Sequence, residues 1–379
     1  MKKILAVVLC GLMVFTALAG CGGGNKAADN GYTANNTEFI IGGTGPLTGD
    51  TSSYGISVLN GAQLAIKEIN ANGGLNGIKF KLEFKDDKST AADAATGYDT
   101  LFEGGMQASI GAVTSGSCDS FNSKAVEDNL FSITPSASAA NVIENRDNAF
   151  RICFGDPDQG VLAAKELTSN YKNIGAIYDT SDPYSSGIYK AFEEEMKKLN
   201  VEFKTQTFDA ENKKDFSTQV EALKDCDVIF LPIYYTEAGF IAKNATAKEC
   251  NAVLFGCDGF DGIADQIDSS VKNEIKYITP FDVNSESEAT KKFVDAYKAE
   301  YNAAPDQFAA DGYDAVMTIF EGMKKADVKD VKISASDLCD ILTSTITASD
   351  FKLVGATGEM TWDKSGACEK VPQIVEFKK

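Results

Sequence analysis

The sequence predicts an α/β protein of two lobes, each built on a parallel sheet with helices on both faces. Three observations carry that expectation. The chain has 379 residues, too many for one ordinary core. Short apolar segments alternate with amphipathic stretches at roughly 25–30 residues, the rhythm of strand–helix units. The apolar segments, such as IGAIY at 174–178, lack in–out alternation, as strands buried on both faces do.

The elements follow in order. Residues 38–43 (EFIIGG) read as a strand, followed by a turn-rich loop, TGPLTGDTSSYG. A helix starts near Ser53, with Leu59, Ala62, Ile66 and Ile69 on one face, and Asn72-Gly73-Gly74 ends it as a left-handed cap. A strand at 78–84 and a helix at 91–102 lead to IGAVTSGSCDSFNSK (110–124), a short strand, a hydroxyl-rich loop and a helix start. ITPSAS (133–138) is the next strand end. The second half repeats the pattern: helix 160–170, strand 174–178, and a helix with Ile188, Phe192, Met196 and Leu199 aligned. Strands at 201–208, 228–232 and 252–256 alternate with helices at 216–223 and 237–247. Helices at 288–301, 308–325 and 336–345 come next, then strand-like pieces around Gly355–Gly358. Too few strands follow Pro280 for a third sheet, so these helices must return to the first lobe. The expected lobes are therefore discontinuous, 38–154 plus 281–352 and 155–280 plus 353–379.

Composition narrows the chemistry. Histidine is absent, which removes the usual general base and the commonest metal ligand. Arg146 and Arg151 are the only arginines, so a carboxylate ligand would be held by hydroxyls and backbone amides rather than by a guanidinium fork. A charge of −19 carries no electrostatic footprint for nucleic acid. GGTGPLTG lacks the third glycine of a dinucleotide fingerprint, and no GxxxxGK[ST] or GxSxG occurs. Asp156 and Asp158 faintly suggest a calcium loop, but no full ligand set follows and helix capping explains them better. The expectation is a binding protein with no catalytic residues, metal or cofactor, acting as a monomer.

The two hydroxyl-rich loops leave backbone N–H groups free at a helix start, where an anion is favoured. Ligands of open parallel sheets sit beyond the carboxyl ends of the strands. Residues placed there are Tyr54, Ser115–Ser117, Ser136 and Ser138 in the first lobe, and Tyr184, Tyr234, Tyr235, Glu237 and Asp258 in the second. This lining of hydroxyls and aromatics with an isolated acid suits a small zwitterion. Taken singly the residues also admit plainer roles: caps or turns for Ser115, Ser138 and Asp258, lobe surface for Tyr184, core for Phe308 and Tyr54.

The start, MKKILAVVLCGLMVFTALAGC, has the basic and apolar regions of an export signal. Its Leu18-Ala19-Gly20-Cys21 resembles the lipobox of bacterial lipoproteins, which implies cleavage of 1–20 and a lipid anchor on Cys21. Residues 21–37, rich in Gly and Asn, read as a flexible tether to the outer face of the cytoplasmic membrane. Seven cysteines remain, an odd number, read as buried thiols with room for one bridge; their spacing specifies no connectivity.

GPLTGDTSSYG with NGAQLAIKEINANGGLNG, together with IGAVTSGS, ITPSAS, FRICFGDPDQG, IYDTSDPYSSG and GEMTWDKSG, resembles the Leu/Ile/Val-binding lipoproteins of ABC importers from about Phe39 onward. The resemblance implies the type I periplasmic-binding-protein fold, two Rossmann-like lobes joined by a three-segment hinge, and delivery of an amino acid to a membrane permease. It implies that Ser115 and Ser138 donate to the ligand α-carboxylate, and that the Ser136 carbonyl and Asp258 take the α-ammonium. Tyr54 and Phe308 would line the side-chain pocket, with Tyr184 and Tyr234 closing over it. The chain departs from the family pattern in having Asp258 where Glu is frequent, Ser138 where threonine faces the ligand, and no cysteine pair near the second and third strands. An aromatic acid, an amide or another small solute is the alternative ligand, and presentation to a sensor the alternative role.

Overall fold

The computed structural model describes residues 36–370 and 372–377. The expected signal peptide, Cys21 and all but the last two residues of the expected tether lie outside the described residues. Five strands form the first sheet: β1 (Phe39–Gly45), β2 (Phe80–Asp86), β3 (Ala108–Ala112), β4 (Ser132–Thr134) and β5 (Ala149–Arg151). Their order is β2-β1-β3-β4-β5 and every pairing is parallel. Between them run α1 (Ser52–Ala71), α2 (Ala91–Glu103) and α3 (Ser115–Glu127).

The second sheet contains β6 (Ile174–Asp179), β7 (Lys204–Phe208), β8 (Val228–Leu231), β9 (Val253–Gly256), β10 (Ile275–Thr279) and, far along the chain, β13 (Gln373–Glu376). Its order is β13-β10-β9-β8-β6-β7, parallel throughout except for β13, which pairs antiparallel with β10. Its helices are α4 (Asp156–Asn170), α5 (Pro183–Lys198), α6 (Ser217–Ala222) and α7 (Tyr235–Ala247). The last helices are α8 (Glu288–Tyr301), α9 (Gln307–Lys325) and α10 (Ala335–Ile346), followed by a hairpin of β11 (Leu353–Gly355) and β12 (Gly358–Met360). The α/β class with parallel sheets is as the sequence predicts. No helix among the described residues is long and apolar enough to cross a membrane.

Local chemistry sets the boundaries. Thr90, Asp182, Asp306 and Ser334 cap α2, α5, α9 and α10 by accepting backbone N–H groups at 2.8–3.1 Å. At the end of α1, Gly73 has φ +100°, and Gly74 N donates to Ile69 O at 2.9 Å, satisfying an orphan carbonyl. α4 starts four residues earlier than the apolar pattern suggests, because Pro157 suits a first turn and Asp158 reaches back to Gly155 N at 3.3 Å.

The helix α9 packs along α1. The two meet backbone to backbone: a Cβ on Gly61 would lie 1.8 Å from Ala309 O, and one on Gly312 2.5 Å from Val58 O. Gly61→Ala is therefore expected to force the pair apart and cost about 1–3 kcal/mol, read as a lower urea midpoint with unchanged helical content.

The expected placement of 353–379 in the second lobe differs from what is seen. The β11–β12 hairpin packs on α8 and α9, and Trp362 Nε1 donates to Arg151 O at 2.8 Å. Asp314 of α9 accepts from Ala356 N at 2.8 Å and from Thr357 N at 2.9 Å, and buried Lys370 pairs with Asp311 of α9 at 2.8 Å. These polar anchors hold the segment to first-lobe elements as far as Lys370; only β13 joins the second sheet. The seven cysteines among the described residues are all buried and free, with no bridge.

Candidate functional site

Strand order locates the cleft. In the first sheet the winding reverses between β1 and β3, and in the second between β6 and β8. Such switch points open a crevice beyond the strand ends. The loops leaving these four strands lead to Tyr54, Ser115, Tyr184 and Tyr234, and the two crevices face each other.

Tyr54, Ser115, Ser136, Tyr184, Tyr234, Asp258 and Phe308 all line one cavity, together with Val113, Thr114 and Gly259. None of these is a lysine or arginine. Ser138 is not among them. It is fully buried behind the lining, its carbonyl accepting from Asp156 N at 3.0 Å and from the Arg151 guanidinium. Its hydroxyl makes no hydrogen bond among the described residues, and neither does the nearby Asp156 carboxylate. Burial pushes that acid well above the usual range.

The first-lobe wall is the start of α3. Ser115 Oγ accepts from Ala139 N at 3.3 Å, which leaves its own proton available. Thr114 Oγ1 and Ser117 Oγ are buried with no partner among the described residues, so this helix start holds unused donors beside its unpaired backbone N–H groups. Ser136 Oγ donates to Val113 O at 2.8 Å and is committed inside its lobe.

Opposite stands Asp258, in a short turn after β9 and 4% exposed. Its Oδ1 accepts from Tyr184 OH at 2.7 Å and from Gln159 Nε2 at 3.0 Å, while Oδ2 has no hydrogen bond among the described residues. Burial pushes its carboxyl up to about 6, opposed by the bonds from Tyr184 and Gln159. Gly259 N donates to Tyr184 OH at 2.9 Å, and a Cβ on Gly259 would lie 2.7 Å from that oxygen, so only glycine fits.

Aromatic rings close the remaining sides. Tyr54 lies 4.3 Å from Phe308 between centroids, and Tyr184 stacks on Tyr234 at 4.8 Å and 8°. Tyr54 OH donates to Gly259 O at 2.5 Å and accepts from Tyr235 N at 3.2 Å, tying first lobe to second. Gln307 adds another tie, Nε2 to Asp258 O at 2.7 Å. The lobes are shut on each other, with about 10 Å³ free between them, the space of roughly one water.

Thr114, Gln159 and Gln307 escaped the sequence reading as site residues. Thr114 lies inside the hydroxyl-rich loop and was within reach of that argument. The two glutamines act across 99 and 49 residues of chain, a pairing that periodicity does not encode.

A family profile described as periplasmic binding protein matches residues 38–364. The chain belongs to the periplasmic binding protein family. It is 28% identical over 330 residues to the Leu/Ile/Val-binding protein BraC3 of Rhizobium johnstonii, covering 86% of this chain and 89% of that one. The branched-chain amino acid transporter substrate-binding protein LivJ of Streptococcus pneumoniae, solved with isoleucine, is 30% identical, with a TM-score of 0.80 over 89% of this chain and 95% of that one. The leucine-binding protein LivK of Thermotoga maritima shares the fold at a TM-score of 0.80 and 24% identity, covering 89% and 94%. Periplasmic binding proteins are extracytoplasmic solute receptors that work with ABC transporter permeases, and the family is not one of enzymes.

Proposed function

We propose that this periplasmic binding protein captures an aliphatic α-amino acid, of the branched-chain class first, and delivers it to a membrane permease while anchored through an acylated Cys21. The observation that carries this is Asp258, a buried carboxylate with one oxygen uncommitted, across a cation-free cavity from the open start of α3. The ligand carboxylate rests on the Ser115 hydroxyl and the α3 amides. Its ammonium takes Asp258 and the Ser136 carbonyl, and its side chain meets Tyr54, Phe308 and Tyr234. With so little space between shut lobes, the ligand enters while they are parted, and closure then excludes water and strengthens each polar contact. Ser138 supports this wall from behind through Asp156 and Arg151 rather than touching the ligand. An aromatic acid without an ammonium group would leave Asp258 buried and unpaired.

Native mass spectrometry of co-purified ligand, followed by calorimetric titration with leucine, isoleucine, valine, lysine, glutamate and benzoate, tests the reading. Binding of the aliphatic members alone is the expected pattern; binding of benzoate alone would refute it. The pH dependence follows from Asp258. The ammonium binds the ionised acid, whose carboxyl is pushed up to about 6 by burial. Affinity should be level above pH 7 and fall about tenfold per unit below 6, checked by titration from pH 4.5 to 8.

A further inference from the structure

We propose that Gln159 is the positioning residue for Asp258, gripping it at backbone and carboxylate together so that Oδ2 is the oxygen left for the ligand's ammonium group. The inference rests on the amino-acid reading above. Gln159 is fully buried on α4, in the second lobe. Its Nε2 donates to Asp258 Oδ1 at 3.0 Å, and its Oε1 accepts from Asp258 N at 3.1 Å. A neutral side-chain amide of this length offers a donor and an acceptor at once; an ionised glutamate has no donor, and methionine has no donor and only a weak acceptor. Tyr184 OH bonds the same Oδ1, and Gln307 holds the Asp258 carbonyl, but neither touches both ends of the residue.

The grip also acts on charge. The groups facing Asp258 are the acids Asp156 on α4, Asp261 on the following turn and Asp311 on α9, the thiols of Cys153 and Cys257, and the hydroxyls of Tyr54, Tyr184 and Tyr234. All three acids disfavour a second carboxylate. The hydrogen bonds from Tyr184 and then Gln159, with smaller help from the Gly259 and Asp258 backbone N–H groups, favour the ionised form.

The test is a ¹³C carboxyl NMR titration of ligand-free protein, with the Asp258 signal assigned by its loss in Asp258→Asn. Gln159→Met, close in shape and without the amide, is expected to move the Asp258 midpoint upward from about 6 by roughly one pH unit and to weaken leucine binding about tenfold at pH 7. Should Gln159→Met lose cooperative unfolding, Gln159→Leu serves instead, which also lacks the amide, with an upward shift of similar size expected. An unmoved midpoint in a folded variant would overturn the proposal, whatever ligand the wild type takes. Collapse of both variants beside a normally folded Asp258→Asn would assign Gln159 to the fold and overturn it too. Failure of the wild type to bind any amino acid, with the midpoint shifted as stated, would instead sink the functional reading and leave the clamp standing.

Discussion

Asp258→Ala is expected to raise the Kd for the amino acid by about two to four orders of magnitude, the counterpart of the roughly 3–5 kcal/mol lost when one partner of a buried charge pair is removed. Asp258→Asn should lose nearly as much, because its amide keeps the shape but not the charge. Folding should respond in the opposite sense. Burial raises the Asp258 carboxyl to about 6 in the folded protein, above the ordinary carboxylate value of an unfolded chain. Its contribution to stability is therefore complete at acidic pH and is lost as pH rises through 6. Ligand-free Asp258→Asn should then unfold at pH 8 at a temperature equal to or above that of the wild type. Calorimetric titration and a thermal melt on the same sample settle both points, and a variant that binds normally, or loses fold and affinity together, would remove Asp258 from the role given it.

The second large effect lies at the other end of the chain. Lys370→Met leaves Asp311 buried without its cation and with Asp314 close by, for a loss of roughly 3–5 kcal/mol. Burial alone would lower the lysine's pKa, but the carboxylates of Asp311 and Asp314 more than offset it and hold the ammonium charged. Burial also pushes Asp311 up to about 7, which by itself favours a neutral acid; an ammonium at 2.8 Å favours the ion pair. In the variant Asp311 can escape by taking a proton, so the loss should be smaller at pH 5 than at pH 8. The double variant Lys370→Met/Asp311→Leu should recover most of it, because neither charge is then stranded. Urea unfolding at the two pH values measures each term.

How legible the molecule was depended on the kind of signal. Strands such as Ile174–Asp179 declare themselves because both faces are buried and the whole segment is apolar. Ala149–Arg151 did not, since three residues hold no period, and Ile275–Thr279 has polar and apolar positions mixed. β13 runs against its neighbours although the pattern suggested parallel sheets, because it arrives from the first lobe after Lys370 rather than through a crossover helix. At the site, turn chemistry and strand ends sufficed to gather the tyrosines, Ser115 and Asp258. Ser138 stands apart because its carbonyl is taken by Asp156 and Arg151, long-range partners that no local motif announces. Gln159 stayed hidden for the same reason.

The seven sequestered sulfurs have a consequence for handling the protein. Burial pushes Cys118 and Cys368 up to about 11, so in the native state they are protonated and unreactive. Denaturation in air presents all seven at once at an ordinary pKa near 8.5, and every bridge that then forms among them is a scrambled one, since the described residues hold none. Renaturation thus depends on a reducing buffer, and melts run without one report a kinetic midpoint rather than an equilibrium.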